Sequence, residues 1–242
     1  MTSNPIFRGV ATALITPLTA SGIDYPALGR LIDWQISEGV NALVIAGTTG
    51  EGSTLTDEEH RKIVRYSVEH AAGRIPIIAG TGSNDTAYAI SLTKYACEVG
   101  CDAMLVVTPY YNKATQNGLV QMYTAIANAS TKPLILYNVP SRTGVNIQPA
   151  TYQKLAQHPM IAGIKEANGD ISSIVTTASL AGDSLSIYSG NDDQIVPILS
   201  MGGSGVISVL SNVLPRKTVE ICTRFWSGDV AGSAALQWEL LP

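Results

Sequence analysis

Short apolar runs rich in β-branched residues recur along the whole chain. Most are apolar at consecutive positions, which is typical of strands buried on both faces rather than of strands with one side in water. Five of the runs end at glycine, proline or asparagine, as strands do where they enter loops. The eight runs are GVATALI from Gly9, ALVIAG from Ala42, PIIAG from Pro76, AMLVVTP from Ala103, LILYN from Leu134, IAGIK from Ile161, LSIYSG from Leu185 and GVISV from Gly205.

The stretches between most of these runs have helical spacing. TDEEHRKIVRYSVEHA, for example, begins with Thr56 and Glu59, which fit a capping box. Eight parallel strands with crossover helices most simply close into a (β/α)8 TIM barrel, and we predict one catalytic domain over residues 1–242. A doubly wound open sheet is the alternative, but no GxGxxG turn follows the first run.

The composition limits the partners of the protein. The 242 residues are 45% hydrophobic and only 14% charged, which favours one compact body. A formal net charge of −4 leaves no basic surface for phosphate backbones, so we expect no nucleic-acid partner. The N-terminus has no charged start followed by a long apolar run, and no apolar run reaches bilayer length. We therefore expect a soluble cytoplasmic protein with no membrane partner.

The cysteines and histidines match neither a disulfide framework nor a metal-ligand pattern. Three cysteines are too few and too irregularly spaced for a framework, and the three histidines are far apart in the sequence. We expect no disulfide, no metal and no cofactor. The residues concerned are Cys97, Cys101, Cys222, His60, His70 and His158.

Lys165 stands at the end of the sixth apolar run, with Glu166 and a loop-forming NGD directly after it. A buried ammonium tends to lose its proton because a low dielectric penalises the charged form, and a neutral lysine is a nucleophile. The alternative is a lysine whose stem packs on the strand while its head reaches solvent. The predicted barrel favours the nucleophile, because chemistry in this fold takes place at the carboxyl ends of the strands.

Further polar groups follow other predicted strands at the same rim. GTTGE follows the second run, PYYN ends the fourth, YNVPSRTG overlaps the end of the fifth and SGND follows the seventh. Each residue has a structural alternative: a threonine that caps a helix, a packed tyrosine or an ordinary loop charge. The barrel nevertheless predicts one mouth that is shared by Thr48, Tyr111, Tyr137, Arg142, Lys165 and Gly190.

This set of residues suits Schiff-base chemistry. A neutral lysine attacks a ketone, and the cationic imine lets the adjacent carbon lose a proton and become an enamine, which is a carbon nucleophile. Tyr137, on the strand next to Lys165, is the candidate proton carrier, with Thr48 and Tyr111 as a hydroxyl relay. The backbone of the GTTG turn and the guanidinium of Arg142 each suit a carboxylate, so we expect two acidic substrates.

GTTGE, YYNK, YNVPSRTG, GIKEA and YSGND, in this order, resemble the dihydrodipicolinate synthases of the pyruvate-dependent aldolase superfamily. The resemblance extends over essentially the whole chain. It implies condensation of pyruvate with L-aspartate-4-semialdehyde in the diaminopimelate route to lysine, through a covalent Schiff base and without a cofactor. It also implies a tight dimer, commonly paired again into a tetramer, in which Tyr111 reaches the site of a neighbouring subunit.

The resemblance also implies a role for each site residue. Lys165 would form the Schiff base, Tyr137 would be the general acid and base, and Thr48 and Tyr111 would complete the proton relay. The implied substrate-binding residues are Thr48 and Thr49 for the pyruvate carboxylate, Arg142 for the semialdehyde carboxylate, and Gly190 and Ile207 for the pocket lining through backbone groups.

The sequence departs from the family pattern after YYNK and at its C-terminal end. Ala114 and Asn117 stand where proline and glutamate are usual, which puts the rigidity of that loop in question. Family members continue past the eighth barrel helix into a helical appendage, whereas this chain ends at WELLP. We therefore expect a truncated appendage.

A third departure concerns feedback by lysine. His60, Asn84 and Tyr110 match residues with which inhibited family members bind lysine, but Tyr88 replaces the glutamate of that set. Because an acceptor for the lysine ammonium is lost, we expect weak or absent inhibition.

Three alternatives have different sequence requirements. An N-acetylneuraminate lyase or a keto-deoxy sugar-acid aldolase shares the Schiff base, but its polyhydroxyl substrate needs neutral groups where Arg142 stands. A non-catalytic barrel that binds a small acid would have lost Lys165 or Tyr137, and both are present. A phosphate-handling barrel needs a cation beside its glycine-rich loop, and MGGSG at 201–205 fits only weakly, so we interpret it as a tight turn.

Overall fold

The computed structural model describes residues 5–241, in which eight parallel strands close into a barrel. Every predicted apolar run coincides with one barrel strand to within two residues at either end, and the (β/α)8 prediction is confirmed. A hairpin of two short strands after the first barrel strand was not predicted. In chain order the strands are β1 Gly9–Ala13, β2 Leu18–Thr19, β3 Gly22–Ile23, β4 Ala42–Ile45, β5 Ile77–Gly80, β6 Ala103–Val107, β7 Leu134–Asn138, β8 Ile161–Glu166, β9 Ser186–Ser189 and β10 Gly205–Ser208, of which β2 and β3 form the hairpin.

Helices cover the outside of the barrel. The second helix begins at the predicted capping box, where the Thr56 hydroxyl accepts from the Glu59 N–H at 3.3 Å and the Glu59 carboxylate accepts from the Thr56 N–H at 2.9 Å. None of the helices within residues 5–241 combines the length and apolarity that a membrane crossing requires. The helices are α1 Tyr25–Ser37, α2 Asp57–Ala71, α3 Thr86–Glu98, α4 Gln116–Asn128, α5 Pro140–Thr143, α6 Pro149–Leu155, α7 Ile171–Ala181, α8 Ile195–Ser200, α9 Pro215–Trp226 and α10 Val230–Leu240.

Within residues 5–241, one helix follows α9, which is the eighth barrel helix. This helix, α10, packs against α8 and α9: the Ser233 hydroxyl donates to the Ile221 carbonyl at 2.7 Å, and the Gln237 side chain accepts from the Val196 N–H at 2.9 Å. The described part of the chain therefore continues past the eighth barrel helix into one docked helix, which includes residues 238–240 of WELLP.

The barrel strands separate two apolar layers. Side chains that point inward, among them Val44, Ile78 and Ile135, form an inner core, and those that point outward pack beneath the helices. The inner core is closed beside the start of β1, where the rings of Phe7 and Tyr188 stack with centroids 4.2 Å apart and the Tyr188 hydroxyl donates to the Phe7 carbonyl. This dry floor leaves the opposite end of the barrel for a site.

A β-bulge in β8 determines which way its last residues face. Leu134 pairs with Ile161 but Ile135 pairs with Gly163, so Ala162 is the extra residue. As a result Ile161 and Ile164 both lie in the outer layer although they are three positions apart. Since a one-residue shift moves every following side chain to the other face, the bulge turns Lys165 into the barrel.

Candidate active site

Lys165 and Tyr137 are cross-strand neighbours inside the barrel. They pair in register on β8 and β7, and the Lys165 ammonium nitrogen lies 4.3 Å from the centroid of the Tyr137 ring. Lys165 is 4% exposed and Tyr137 is 6% exposed. The predicted neighbourhood of these two residues is therefore present, in a setting from which water is largely excluded.

Burial lowers the pKa of Lys165 to about 8; the carboxylate of Asp192 opposes this shift and the positive charge of Arg142 adds to it. At pH 7 about one Lys165 side chain in ten is then uncharged, whereas a lysine with an unperturbed pKa is uncharged in fewer than about one case in a thousand. The reactive form of the amine is thus available near neutral pH.

The Tyr137 hydroxyl is a proton donor at neutral pH. Burial raises its pKa, although the charge of Arg142 and the Thr48 side chain both favour the phenolate. Tyr137 therefore begins a reaction protonated, and these two neighbours stabilise the phenolate that remains after it has given a proton away.

The GTTGE loop is tightly folded at the end of β4. The Thr16 hydroxyl donates to the Gly50 carbonyl at 2.6 Å, and the Glu51 N–H donates to the Thr48 carbonyl at 3.1 Å. A Cβ atom at Gly50 would lie 2.8 Å from the Leu14 carbonyl oxygen, so only glycine fits there. The N–H groups of Thr48 and Thr49 have no hydrogen-bond acceptor among residues 5–241, which leaves them available to an anion.

A cavity of about 320 Å³ opens beside this loop. Thr48, Tyr137 and Arg142 line it, together with residues that the resemblance assigned to lysine binding, namely His60 and Tyr110. Three of the predicted catalytic and substrate-binding residues therefore share one cavity with two of the candidate lysine-binding residues. Predicted site residues outside its lining are Thr49, Asn84, Tyr111, Lys165, Gly190 and Ile207.

Tyr111 does not meet the other predicted residues within one chain. Its side chain is 92% exposed and its φ is +70°, a left-handed conformation that is unusual for a residue with a side chain. The neighbouring Asn112 side chain donates to the Asn84 carbonyl at 3.0 Å and ties this loop to the next one. The expectation that Tyr111 faces the mouth of its own barrel is therefore corrected.

Gly190 and Ile207 lie on the other side of Lys165. The Gly190 N–H donates to the Glu166 carbonyl at 2.7 Å, and a Cβ atom at Gly190 would lie 2.8 Å from that of Ala167. Ile207 is fully buried in β10, within the inner core. Gly190 thus holds the loop after β9 against the end of β8, and Ile207 fills the inside of the barrel.

Among the candidate lysine-binding positions, position 88 carries an uncharged side chain, Tyr88. The Tyr88 hydroxyl hydrogen-bonds the Asp57 carboxylate, which is also bound by Arg61 at 2.9 Å. His60 is buried with its Nε2 atom 2.8 Å from the Gly80 carbonyl oxygen, and burial lowers its pKa, so it is neutral. Tyr88 therefore offers a ring to the cavity, with its hydroxyl already engaged.

Glu166 is a buried residue that the apolar pattern did not identify. β8 ends at Glu166 and not at Lys165, and Glu166 is 2% exposed. Its carboxylate accepts from the Asn138 amide at 2.9 and 3.2 Å, from the Tyr152 hydroxyl at 2.9 Å and from the Asn168 N–H at 3.0 Å. Burial raises its pKa to about 7, although these donors favour the ionised form. Strand alternation after an inward-facing Lys165 is the signal that places it outward.

No cluster of three or more His, Cys, Asp or Glu side chains that could hold a metal ion occurs among residues 5–241. The three cysteines are free thiols; Cys101 and Cys222 are buried, and Cys97 is half-buried. Two charged side chains act on the Lys165 amine: Asp192 raises its pKa and Arg142 lowers it.

Known proteins are similar to this chain in sequence and in fold. The model of the dihydrodipicolinate synthetase family matches residues 6–242. A 4-hydroxy-tetrahydrodipicolinate synthase of Thermoanaerobacter sp. (strain X514) is 50% identical over 239 residues, which cover 98% of this chain and 80% of that relative.

Two solved structures superpose closely on the chain. A dihydrodipicolinate synthase described as the first monomeric variant has a TM-score of 0.95 at 44% identity, covering 98% of this chain and 80% of the related one. A chloride-inhibited dihydrodipicolinate synthase from Acinetobacter baumannii, complexed with pyruvate, has a TM-score of 0.92 at 44% identity, covering 95% of this chain and 79% of the related one. The chain belongs to the dihydrodipicolinate synthetase family.

Proposed function

We propose that the chain condenses pyruvate with L-aspartate-4-semialdehyde to 4-hydroxy-tetrahydrodipicolinate, in the diaminopimelate route to lysine, through a Schiff base on Lys165. The observation that carries the proposal is the buried amine of Lys165, 4.3 Å from the Tyr137 ring and with a pKa of about 8. An amine that is partly neutral, beside a protonated phenol, is the pair that imine formation needs.

The steps balance with the groups present. The Lys165 amine adds to the ketone carbon of pyruvate, Tyr137 donates a proton to the departing hydroxyl, and water leaves. The resulting iminium draws electrons from the methyl carbon, which loses a proton to the Tyr137 phenolate and becomes an enamine. The enamine carbon then attacks the aldehyde carbon of the semialdehyde, and the Tyr137 hydroxyl gives its proton to the aldehyde oxygen, which becomes a hydroxyl group. The neutral amino group of the bound semialdehyde attacks the imine carbon and closes the ring. One proton passes from the ring nitrogen to the Lys165 nitrogen, which leaves as the amine, and a second returns to the Tyr137 phenolate.

The two substrate carboxylates have separate binding groups in this proposal. The unpaired N–H groups of Thr48 and Thr49 receive the pyruvate carboxylate, and Arg142 receives that of the semialdehyde. Arg142 is on α5, the short helix that follows β7, and it lines the cavity. Its positive charge favours the phenolate of Tyr137. Gly190 and Ile207, outside the lining of this cavity, would contribute backbone groups on the other side of Lys165. Pyruvate bound to the Acinetobacter relative supports a pyruvate site in this family.

Borohydride reduction in the presence of pyruvate tests the proposal. We expect an adduct on Lys165 by peptide mass mapping, no adduct at this position in Lys165→Ala, and an unchanged adduct in Lys154→Ala, which alters an exposed lysine on α6.

Tyr137→Phe keeps the amine but loses the proton donor, so turnover should fall by about 10²- to 10⁴-fold. Turnover should be observed with aspartate semialdehyde and not with sialic acid. An adduct confined to other lysines, or preferred turnover of sialic acid, contradicts the proposal.

We also propose that the active form is a dimer or a tetramer in which Tyr111 completes the relay in a neighbouring subunit. An aromatic side chain that is 92% exposed at positive φ, with no contact to its own cavity, is well placed to contact a second copy. The cytoplasmic location and the single catalytic domain over residues 1–242 stay predictions from the sequence.

A dilution series tests the assembly. Specific activity and sedimentation are measured on the same samples, and activity should fall as the dimer dissociates, because the monomer lacks the partner's hydroxyl. Tyr111→Phe should reduce activity at high concentration without changing sedimentation. Full specific activity in a species that sediments as a monomer refutes the shared site.

We propose weak or absent feedback by lysine, because Tyr88 presents no carboxylate to the cavity and Asp57 is already bound by Arg61. Tyr88→Glu should make the enzyme more sensitive, lowering the half-inhibitory lysine concentration by about tenfold or more through a new partly desolvated ion pair. Ala87→Glu, which adds a carboxylate to the exposed face of α3, is the matched control and should change nothing. Strong inhibition of the unaltered protein by low lysine overturns this proposal.

A further inference from the structure

A second cross-strand pair lies directly behind the reacting residues. Asn138 pairs with Glu166 on β7 and β8, one position after Tyr137 and Lys165, and therefore on the opposite face of the same two strands. The Asn138 amide donates to both oxygens of the Glu166 carboxylate, at 2.9 and 3.2 Å. Within residues 5–241 no other side-chain hydrogen bond joins these two strands.

The Glu166 carboxylate receives only donors. Besides Asn138, the Tyr152 hydroxyl reaches it from α6 and the Asn168 N–H from the following loop. An ionised carboxylate accepts hydrogen bonds and donates none, so it satisfies all three groups at once, which no neutral side chain of the same size does. The chemical identity of Glu166 thus follows from its partners and not from its shape alone.

The Asn138 side chain is also held by hydrogen bonds other than those to Glu166. Its amide group also donates to the Asn146 side-chain oxygen at 2.7 Å, and its own side-chain oxygen accepts from the Ile147 N–H at 3.1 Å. The link from β8 through Asn138 therefore continues into the segment after α5, the helix that carries Arg142.

The bulge at Ala162 makes this link important. A bulge releases the register that the preceding part of the ladder sets, and Lys165 follows it by three residues. The main chain is shared between Lys165 and Glu166, so a displacement of one carboxylate moves the amine beside it. Small errors of this kind matter, because a misplacement of about 1 Å is able to slow a reaction by about 100-fold.

We propose that Glu166 is a positioning residue, which with Asn138 holds the carboxyl ends of β7 and β8 in register and thereby keeps the Lys165 amine against Tyr137. The inference rests on the proposed Schiff-base function. It assigns Glu166 no contact with substrate, since its carboxylate faces the helices.

The test compares Glu166→Gln with Tyr152→Phe. Glu166→Gln replaces one carboxylate oxygen by an NH2 group, which then faces a donor such as the Asn138 amide or the Asn168 N–H. Tyr152→Phe removes the hydroxyl that donates from α6 and leaves the hydrogen bonds between Asn138 and Glu166 in place. The rate of imine formation with pyruvate is measured by timed borohydride quenching, at a temperature where circular dichroism shows each variant folded. We expect about a tenfold or larger loss in Glu166→Gln and a change within about twofold in Tyr152→Phe.

Steady-state kinetics separate positioning from substrate binding. The value of kcat in Glu166→Gln should fall in step with imine formation, while KM for the semialdehyde stays within about twofold, because Arg142 and its cavity are not altered. A role in stability alone predicts a lower melting temperature with an unchanged imine rate for the folded protein.

The outcomes also distinguish this inference from the proposed function. If the unaltered protein forms no adduct at Lys165, the proposed function itself fails. If it forms the adduct and folded Glu166→Gln does so equally fast, or Tyr152→Phe slows it equally, the positioning role is overturned. Should Glu166→Gln not fold, Asn138→Ala cuts the same link from β7, and an imine rate equal to that of the unaltered protein overturns the proposal in the same way.

Discussion

The fold buries the amine of Lys165 away from water, and the chemistry of the site depends on this burial. A pKa of about 8 for Lys165, against an ordinary 10.5, means that the folded state disfavours the ammonium by about 3 kcal/mol. Because the unfolded chain binds more protons between these two values, the penalty is complete below about pH 8 and disappears as the pH rises past about 10.5. The barrel bears this cost with two apolar layers, one inside the strands and one beneath the helices.

The direction of one side chain decides whether the amine is buried at all. Strict alternation from Ile161 would place Lys165 beneath the helices and Glu166 in the lumen; the extra residue at Ala162 reverses both. Each residue then meets a suitable environment. The amine faces a tyrosine above a floor of stacked rings, and the carboxylate faces three donors. Chemistry on one face of the strands and structure on the other are thus set by the same register.

The sequence predicted the elements whose signals are local. Apolar runs gave all eight barrel strands, and the Thr56 and Glu59 capping box marked the start of α2. The β2–β3 hairpin was not predicted because each of its strands has only two residues. Helix α10 was not predicted because VAGSAALQWEL has apolar residues on all sides and no polar face. Residues near the ends of strands were brought together as predicted where one chain is sufficient, as for Lys165 and Tyr137. The environment of Glu166 was not predictable, since it is made by partners on two other elements.

The measurement that tests the central claim most directly is a titration of the Lys165 amine itself. Lysine labelled with ¹³C at the ε-carbon reports its protonation by NMR, and the signal that disappears in Lys165→Met identifies the residue. We predict an apparent pKa of about 8 for this signal and its replacement by an imine signal when pyruvate is added. A pKa near 10.5, or a signal that pyruvate leaves unchanged, would contradict the account.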